Sequence, residues 1–357
     1  MRITHVINSL STAGAERLVV NLCLEMRKKG HAVRIVTLSD TPGIPLLLAQ
    51  SSGIDVISLG HAPRNPASIL RLSKATRSSD IVHAHLFPTL YFASLAGITS
   101  PMVFTEHSTH NRRTGISALA PFERMAYRRF DKIIAISSGV RSSLQSHFLE
   151  IGLNKEIETI QNGIGAEFFH SRHGVTPRGA GPLRLIAIGT LKSSKNLQDS
   201  IAAVARVPAT TLTIVGNGPQ QAELMALVER LHLSDRVSFL GQRSDISDLL
   251  DEHHVLLSTS LFEGFGLGAA EAMARGCPVI GPDISGLNEV VDNGRSGLLF
   301  KAGTNSIDEL VEHILTLRDD SVTYERLARQ AYSGSSRFNI EVAAEAYLQT
   351  YASTARG

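Results

Sequence analysis

One rhythm constrains the fold of this chain more than any other feature. Short runs rich in β-branched residues recur from end to end, and amphipathic stretches separate most of them, which is the pattern of βα units building parallel sheets. In the first half the spacing predicts strands at Ile3–Ile7, Val33–Leu38, Val56–Leu59, Ile81–His85, Met102–Thr105, Lys132–Ile136 and Ile157–Ile160. Between Phe169 and Pro182 the rhythm lapses into a Gly-, Pro- and polar-rich stretch without periodicity, as expected of a linker. It restarts at Leu185–Ile188 and continues through Leu212–Val215, Val237–Leu240, Val255–Leu257 and Val279–Ile280. The expected class is therefore α/β, with two doubly wound Rossmann-like domains in series facing a cleft. The expected boundaries are 1–170, a linker at 171–182, and 183–337, with a last stretch, 338–357, that carries an amphipathic helix over Val342–Tyr351. A length of 357 residues suits two domains. Ligands of such sheets bind at the carboxyl ends of the strands, so the cleft is the expected site.

Composition excludes several classes. With 43% hydrophobic and 19% charged residues the chain is neither disordered nor collagen-like, and two cysteines cannot make a disulfide framework. Cys23 and Cys277 lie in apolar stretches that read as helix, where a thiol acts as a small hydrophobe, which points to a reducing cytoplasm. Met1 to Ile7 alternates like a first strand rather than a signal peptide, and no apolar run approaches the roughly 18 residues needed to span a bilayer. The net charge of +2 conceals a division: residues 1–170 carry eighteen Lys and Arg against twelve Asp and Glu, and the remainder seventeen against twenty-one.

The strongest chemical signal runs from Ser258 to Ile280, where a buried strand ends in Leu261-Phe262-Glu263-Gly264-Phe265-Gly266-Leu267-Gly268 and feeds a helix carrying Glu271. Backbone N–H groups at a glycine-rich loop and helix start can bind a phosphate. Glu263 and Glu271, on either side of that anion site, are poor phosphate ligands but good acceptors for sugar hydroxyls. The competing reading is a Gly-rich turn with solvated glutamates favoured by the helix dipole.

Residues 258–280 resemble the Glu-x7-Glu signature of family 4 glycosyltransferases, nucleotide-sugar enzymes of the GT-B architecture that retain anomeric configuration. The rest of the chain is similar to that family in the same order over nearly its full length. The resemblance implies that Glu263 contacts the hydroxyls of the transferred sugar, that the amides of Gly266 and Leu267 hold the diphosphate, and that Glu271 accepts from the ribose. Gly189-Thr190-Leu191-Lys192-Ser193-Ser194-Lys195 resembles the segment whose Arg and Lys clamp the diphosphate. Lys195 takes the Lys position, and Gly189 is a further donor-binding candidate, while Thr190, just after that glycine, stands where Arg is usual and cannot supply a charged fork. Ala13-Gly14-Ala15-Glu16 resembles the family's Gly-Gly-Ala-Glu loop, which implies that Gly14 lets the backbone approach donor and acceptor. Val215-Gly216-Asn217-Gly218-Pro219 is similar to another family segment and lacks the third glycine of a dinucleotide fingerprint. Arg243, after Phe239-Leu240-Gly241, is the implied base contact. His107, ending the strand before Ser108, is the implied histidine beside sugar and diphosphate. His83 and His85 read as a structural pair. The resemblance also implies that the C-terminal helix crosses back onto the first domain, and that Asn162-Gly163-Ile164 shapes the hinge.

The resulting expectation is a retaining transferase that moves a hexosyl or N-acetylhexosaminyl unit from a UDP- or GDP-sugar. Its acceptor is a glycan or lipid-linked molecule of bacterial surface polysaccharide or lipopolysaccharide biosynthesis. The chain contains no Asp-x-Asp, so neither metal nor other cofactor is expected, and charge neutralisation falls to Lys195 and oriented amides. Glu263 and His107 are assigned to holding the sugar and stabilising the transition state, not to a general base. Residues 61–141 carry eleven Lys and Arg against four Asp and Glu. Arg124 and Arg128 lie opposite the face of Leu119, Phe122, Ala126 and Phe130. With Arg112 and Arg113 they suggest peripheral attachment to an anionic membrane on its cytoplasmic face. Nucleic acid is excluded as a partner because only 5% of residues are aromatic. Two alternatives remain open: a weak pseudo-glycosyltransferase that only binds nucleotide sugar, and a GT-B nucleotide-sugar epimerase.

Overall fold

A computed structural model describes residues 1–60, 67–109, 116–170, 175–303 and 306–355. Among these, seven runs pair into one parallel sheet: β1 (Arg2–Ile7), β2 (Ala32–Thr37), β3 (Asp55–Ser58), β4 (Ile81–His85), β5 (Met102–Glu106), β6 (Lys132–Ala135) and β7 (Ile157–Thr159), in the order β3-β2-β1-β4-β5-β6-β7. The central strands β4 and β5 are buried along their whole length, and beside their apolar residues they enclose His83, His85, Thr105 and Glu106. The crossovers are α1 (Gly14–Lys28), α2 (Ile44–Ser51), α3 (Ala67–Thr76), α4 (Thr89–Leu95), α5 (Ala120–Arg128) and α6 (Ser138–Glu150). In α1, Leu18, Leu22 and Met26 recur at helical spacing and pack on Ile3, Ile81 and Val103, while Arg27 and Lys28 oppose the dipole in its last turn. Ser137 caps α6, its hydroxyl accepting from the Val140 amide at 3.1 Å.

The second unit repeats the plan with β8 (Leu183–Ile188), β9 (Thr210–Val215), β10 (Val237–Gly241), β11 (Val255–Leu257), β12 (Val279–Pro282) and β13 (Gly297–Phe300), ordered β10-β9-β8-β11-β12-β13. Its helices are α7 (Leu197–Arg206), α8 (Gln221–Arg230), α9 (Ile246–Glu252), α10 (Leu267–Ala274), α11 (Ser306–Asp319) and α12 (Ser321–Gly334). Both sheets therefore have the Rossmann-like order, with a topological switch point between β1 and β4 in one and between β8 and β11 in the other. Sequence reasoning missed β13, a Gly-Leu-Leu-Phe segment without β-branched residues, which becomes a strand by pairing with β12.

The chain divides into Met1–Gly163 with Ile340–Gly357, and Ile164–Asn339. The boundary falls at Asn162-Gly163-Ile164, not in the expected linker. Gly163 is required there, since a Cβ would stand 2.5 Å from Ile340 Cα. Of the expected linker, residues 175–182 are described, and they belong to the second unit. Thr176 donates to the Asp251 carbonyl and accepts from Tyr324, both at 2.8 Å, and the buried Arg178 donates to the Gly181 carbonyl. A stretch without periodicity is thus anchored by side chains that no local pattern reveals. The last helix, α13 (Ile340–Thr354), belongs to the first unit, where Ala343, Ala344, Tyr347 and Tyr351 pack into the core with α1. Cys23 lies in α1 as read, but Cys277 follows α10 in a turn and donates to the Leu250 carbonyl. Among the described residues no helix is long and apolar enough to cross a membrane.

Candidate active site

In the second unit the residues singled out after β8 and after β11 meet at the switch point. The chain leaves β8 through Gly189 (φ +149), where a Cβ would crowd the Lys195 stem at 3.2 Å. A single 3-10 turn, Ser193–Lys195, then passes through the left-handed Asn196 into α7. The loop from β11 is tied to that turn by two bonds: the Leu261 amide donates to the Ser194 carbonyl at 2.9 Å, and the Thr259 hydroxyl to the Lys195 carbonyl at 3.1 Å. These place Lys195 Nζ 2.6 Å from Glu263 Oε1, with side chains 23% and 16% exposed. Two motifs 68 residues apart thereby form one partly buried ion pair.

At the start of α10, Gly266 adopts φ +87, and the first helical bonds run from the Ala269 and Ala270 amides to its carbonyl. The amides of Leu267 and Gly268 come before those bonds, at the positive end of the helix. Gly268 is not demanded by a left-handed backbone, and a Cβ there would meet nothing within 4 Å, so neither conformation nor packing within the chain explains a glycine at this place. Glu271 is 2% exposed, which removes the reading of a solvated first-turn glutamate.

The glycines at the ends of β8, β9 and β10 stack backbone on backbone. The Gly189 amide donates to the Val215 carbonyl at 3.0 Å and the Gly216 amide to the Gly241 carbonyl at 2.8 Å, and a Cβ on Gly216 would lie 2.0 Å from the Gly189 carbonyl oxygen. Gly216 and Gly218 are thus explained by close packing against the β8 loop. Arg243, just past β10, is forked onto Asp245 through two bonds, the first at 2.8 Å, and this exposed carboxylate holds the guanidinium charged.

In the first unit Gly14 is exposed and opens α1 after Ala13, whose extended backbone caps the helix without a side-chain bond. Two residues on, Glu16 is buried; burial raises its carboxyl above the usual range, and Ser11 donates to it at 3.4 Å. His107 follows β5 and is half-buried, and burial pushes its imidazole down to about 3. Arg124 and Arg128 are exposed on α5, whereas Arg112 and Arg113 lie outside the described residues. On its inner side α5 carries a buried carboxylate: Glu123 accepts from Tyr91 at 2.6 Å and is bonded to His147.

Residues 12–168 match the family model described as Glycosyltransferase Family 4, and residues 173–334 match that described as Glycosyl transferases group 1, so the two together span nearly the whole chain. The chain is a family 4 glycosyltransferase of the GT-B architecture. Among its relatives, this glycosyltransferase is 29% identical to a glycogen synthase of Mycobacterium tuberculosis, over 99% of the chain and 90% of that protein. It is 25% identical to the lipopolysaccharide core biosynthesis mannosyltransferase LpsB of Rhizobium meliloti, over 96% and 95%. The crystal structure of Anabaena HepE in complex with UDP and glucose has the same fold, with a TM-score of 0.86 at 23% identity, covering 99% of this chain and all of that one.

The sequence reading of the glycosyltransferase missed what surrounds His107. His5 pairs with His83 across β1 and β4, so both lie with His85 on one face of the sheet, and each of the three offers a nitrogen within 4.8 Å of the others. His83 already bonds the Tyr351 hydroxyl at 2.5 Å and the Thr105 hydroxyl at 2.7 Å, and His5 bonds His85, so these rings form a hydrogen-bonded cluster. The His-Ala-His spacing signalled one face, but the contribution of His5 depends on strand register. Elsewhere in this unit a cavity of about 770 Å³, lined by Lys132, Lys155, Glu158 and Thr350 among others, contains none of the candidate residues.

Proposed function

We propose that this glycosyltransferase moves a hexosyl or N-acetylhexosaminyl unit from a UDP- or GDP-sugar to a glycan or lipid-linked acceptor of a bacterial surface polysaccharide or lipopolysaccharide, with retention and without a metal. The observation that carries the reading is the Lys195–Glu263 pair, 2.6 Å across, on loops that leave two strands of the second sheet's switch point. A cation and a carboxylate held together beside a helix start suit a ligand that is anionic at one end and rich in hydroxyls at the other. On this reading the diphosphate draws Lys195 away from Glu263 and rests on the amides of Leu267 and Gly268, to which the bare face of Gly268 leaves access. Glu263, released from its lysine, accepts from hydroxyls of the transferred sugar, Glu271 accepts from the ribose, and Arg243, steadied by Asp245, borders the base. His107 hydrogen-bonds the substrate, and with a neutral ring at ordinary pH it adds no charge. Rate enhancement then comes from positioning and from stabilising the charge that builds on the leaving diphosphate, which itself takes the acceptor's proton.

Release of UDP or GDP from a matching sugar nucleotide in the absence of acceptor tests the reading. We expect slow hydrolysis that Glu263→Ala abolishes and that Lys195→Met lowers about 10²- to 10³-fold, the loss typical when one stabilising donor is removed. Nucleotide-sugar binding without turnover would instead favour a binding module, and an epimerised sugar nucleotide in the NMR spectrum would favour an epimerase. The same spectrum of a transfer product reports retention, and unchanged turnover in EDTA supports metal independence.

The acceptor side of the proposal rests on α5, where exposed Arg124 and Arg128 flank Met125, itself 47% exposed. A basic, partly apolar helix face suits attachment to an anionic membrane. Salt-sensitive sedimentation with anionic liposomes, lost on changing Arg124 and Arg128 to Ser, is the expected result; no binding would refute it.

A further inference from the structure

Three imidazoles of the first unit form a continuous hydrogen-bonded chain. His107 Nε2 lies 3.1 Å from His85 Nδ1, and His85 Nε2 lies 3.0 Å from His5 Nδ1. The two end nitrogens, His107 Nδ1 and His5 Nε2, are buried and have no hydrogen-bond partner among the described residues. His83 stands beside the chain, its ring 3.9 Å from that of His85, but its own nitrogens are occupied by Tyr351 and Thr105. Burial holds all of these rings well below the usual histidine range, so each is neutral and carries one N–H.

Counting those protons leaves two arrangements. Each link needs one donor and one acceptor, so two of the three N–H protons fill the links and the third sits at one end, leaving a bare lone pair at the other. In the inward arrangement His107 donates to His85, His85 donates to His5, and His5 Nε2 is left with an N–H. In the outward arrangement His5 Nδ1 donates to His85 Nε2, His85 Nδ1 donates to His107 Nε2, and the free N–H is on His107 Nδ1. His5 is fully enclosed, and an orphaned N–H in an interior is rarer than an unsatisfied acceptor. His107 Nδ1 is enclosed as well, but it belongs to a partly exposed residue at the carboxyl end of β5, the end of such sheets where ligands bind, so its N–H is the one that a bound oxygen can satisfy. The interior therefore favours the outward arrangement.

We infer that His85 and His5 are positioning residues that hold His107 as its Nδ1–H tautomer, which makes it a hydrogen-bond donor toward an oxygen of the bound substrate and unable to accept a proton at that nitrogen. The identity of that oxygen, on sugar or phosphate, rests on the function proposed above; the tautomer does not. The second nitrogen of a histidine ordinarily sets the state of the first, and here the setting is relayed through two further rings.

The test is a long-range proton–nitrogen correlation spectrum of the full-length protein with ¹⁵N-labelled histidine and no ligand, with His107 assigned by its loss in His107→Gln. The expected result is a protonated Nδ1 and a bare Nε2 on His107, and the reverse overturns the inference. In His5→Phe the chain loses its terminal donor, and His107 should change to a mixture of tautomers. In His5→Gln, whose amide can donate to His85, the Nδ1–H form should return. An unchanged His107 in His5→Phe would also overturn the inference, and if that variant does not fold, the wild-type spectrum decides alone. Failure of sugar-nucleotide turnover would refute the proposed function without touching these signals.

Discussion

Replacing Gly216 by alanine separates glycines needed by the fold from glycines needed by a ligand. At Gly216 the new Cβ would lie 2.0 Å from the Gly189 carbonyl oxygen and 2.9 Å from its carbon, both backbone atoms with no rotamer to change. Since real Cβ contacts essentially never fall below 3.0 Å, the β8 and β9 loops must part by about 1 Å. Displacement of that kind in a packed region costs roughly 1–3 kcal/mol. The φ of +135 is glycine territory, which adds roughly 1–3 kcal/mol for a residue with a side chain. We therefore expect Gly216→Ala to destabilise the second unit by about 2–6 kcal/mol, a fall in its melting temperature on the order of 10 °C. On the function proposed above, affinity for UDP or GDP, whichever nucleotide the donor carries, should fall with it, because Gly189 and Lys195 move with the β8 loop. Gly268→Ala is the matched control: with open space around its Cβ in a helix, it should leave the melting temperature unchanged or raise it by up to about 1 kcal/mol in stability, while weakening UDP binding. Calorimetric melting with UDP titration measures both. A wild-type melting temperature in Gly216→Ala, or an equal loss of stability in Gly268→Ala, would refute the reasoning.

The buried Arg275 donates from Nε to Asp251 at 2.9 Å, bonds that carboxylate again through a second nitrogen, and reaches the Glu167 carbonyl at 3.3 Å. Arg275→Met should cost about 3–5 kcal/mol by stranding a buried carboxylate, and adding Asp251→Leu should recover most of it in urea unfolding. Tyr351→Phe removes the hydroxyl that bonds His83 and should cost about 1–3 kcal/mol in the same assay, with no change in UDP affinity. Stability should also depend on acidity. Burial pushes His5 and His107 down to about 3, against about 6.5 when unfolded, so the unfolded chain binds more protons between those values. The stability of the first unit is then complete above about pH 6.5 and declines toward about pH 3, by up to about 1.4 kcal/mol per pH unit for each buried histidine. A series of urea midpoints from pH 7 to pH 4 should fall less steeply in His5→Gln, and identical slopes would count against neutral buried rings.

Twelve of the strands could be placed from short windows of the chain because each holds β-branched residues in a short run bounded by other patterns, a local signal. The β13 strand could not, since Gly297-Leu298-Leu299-Phe300 has no local preference for an extended backbone and takes it from its neighbour. The domain boundary was misplaced for a related reason. Loss of periodicity at residues 171–182 resembles a free linker, but Thr176 and Arg178 are fastened to Asp251 and Gly181, and sequence windows do not record which carbonyls a side chain will find.

The candidate site divides in the same way. Glu263, Gly266, Leu267, Glu271, Gly189 and Lys195 stand out as candidates in the sequence because a strand, a glycine-rich turn and a helix start are written in consecutive residues. By itself the sequence determined the α/β class, the two rounds of βα units and the family-like order of their loops, since each depends on neighbours a few residues apart. Only the tertiary structure decided that Lys195 meets Glu263, that Glu271 is enclosed, and that His5, from the first strand, completes a chain ending at His107. Each of these depends on segments far apart in the chain, and sheet order and register, which bring such segments together, are fixed by packing across the whole domain rather than within any one segment.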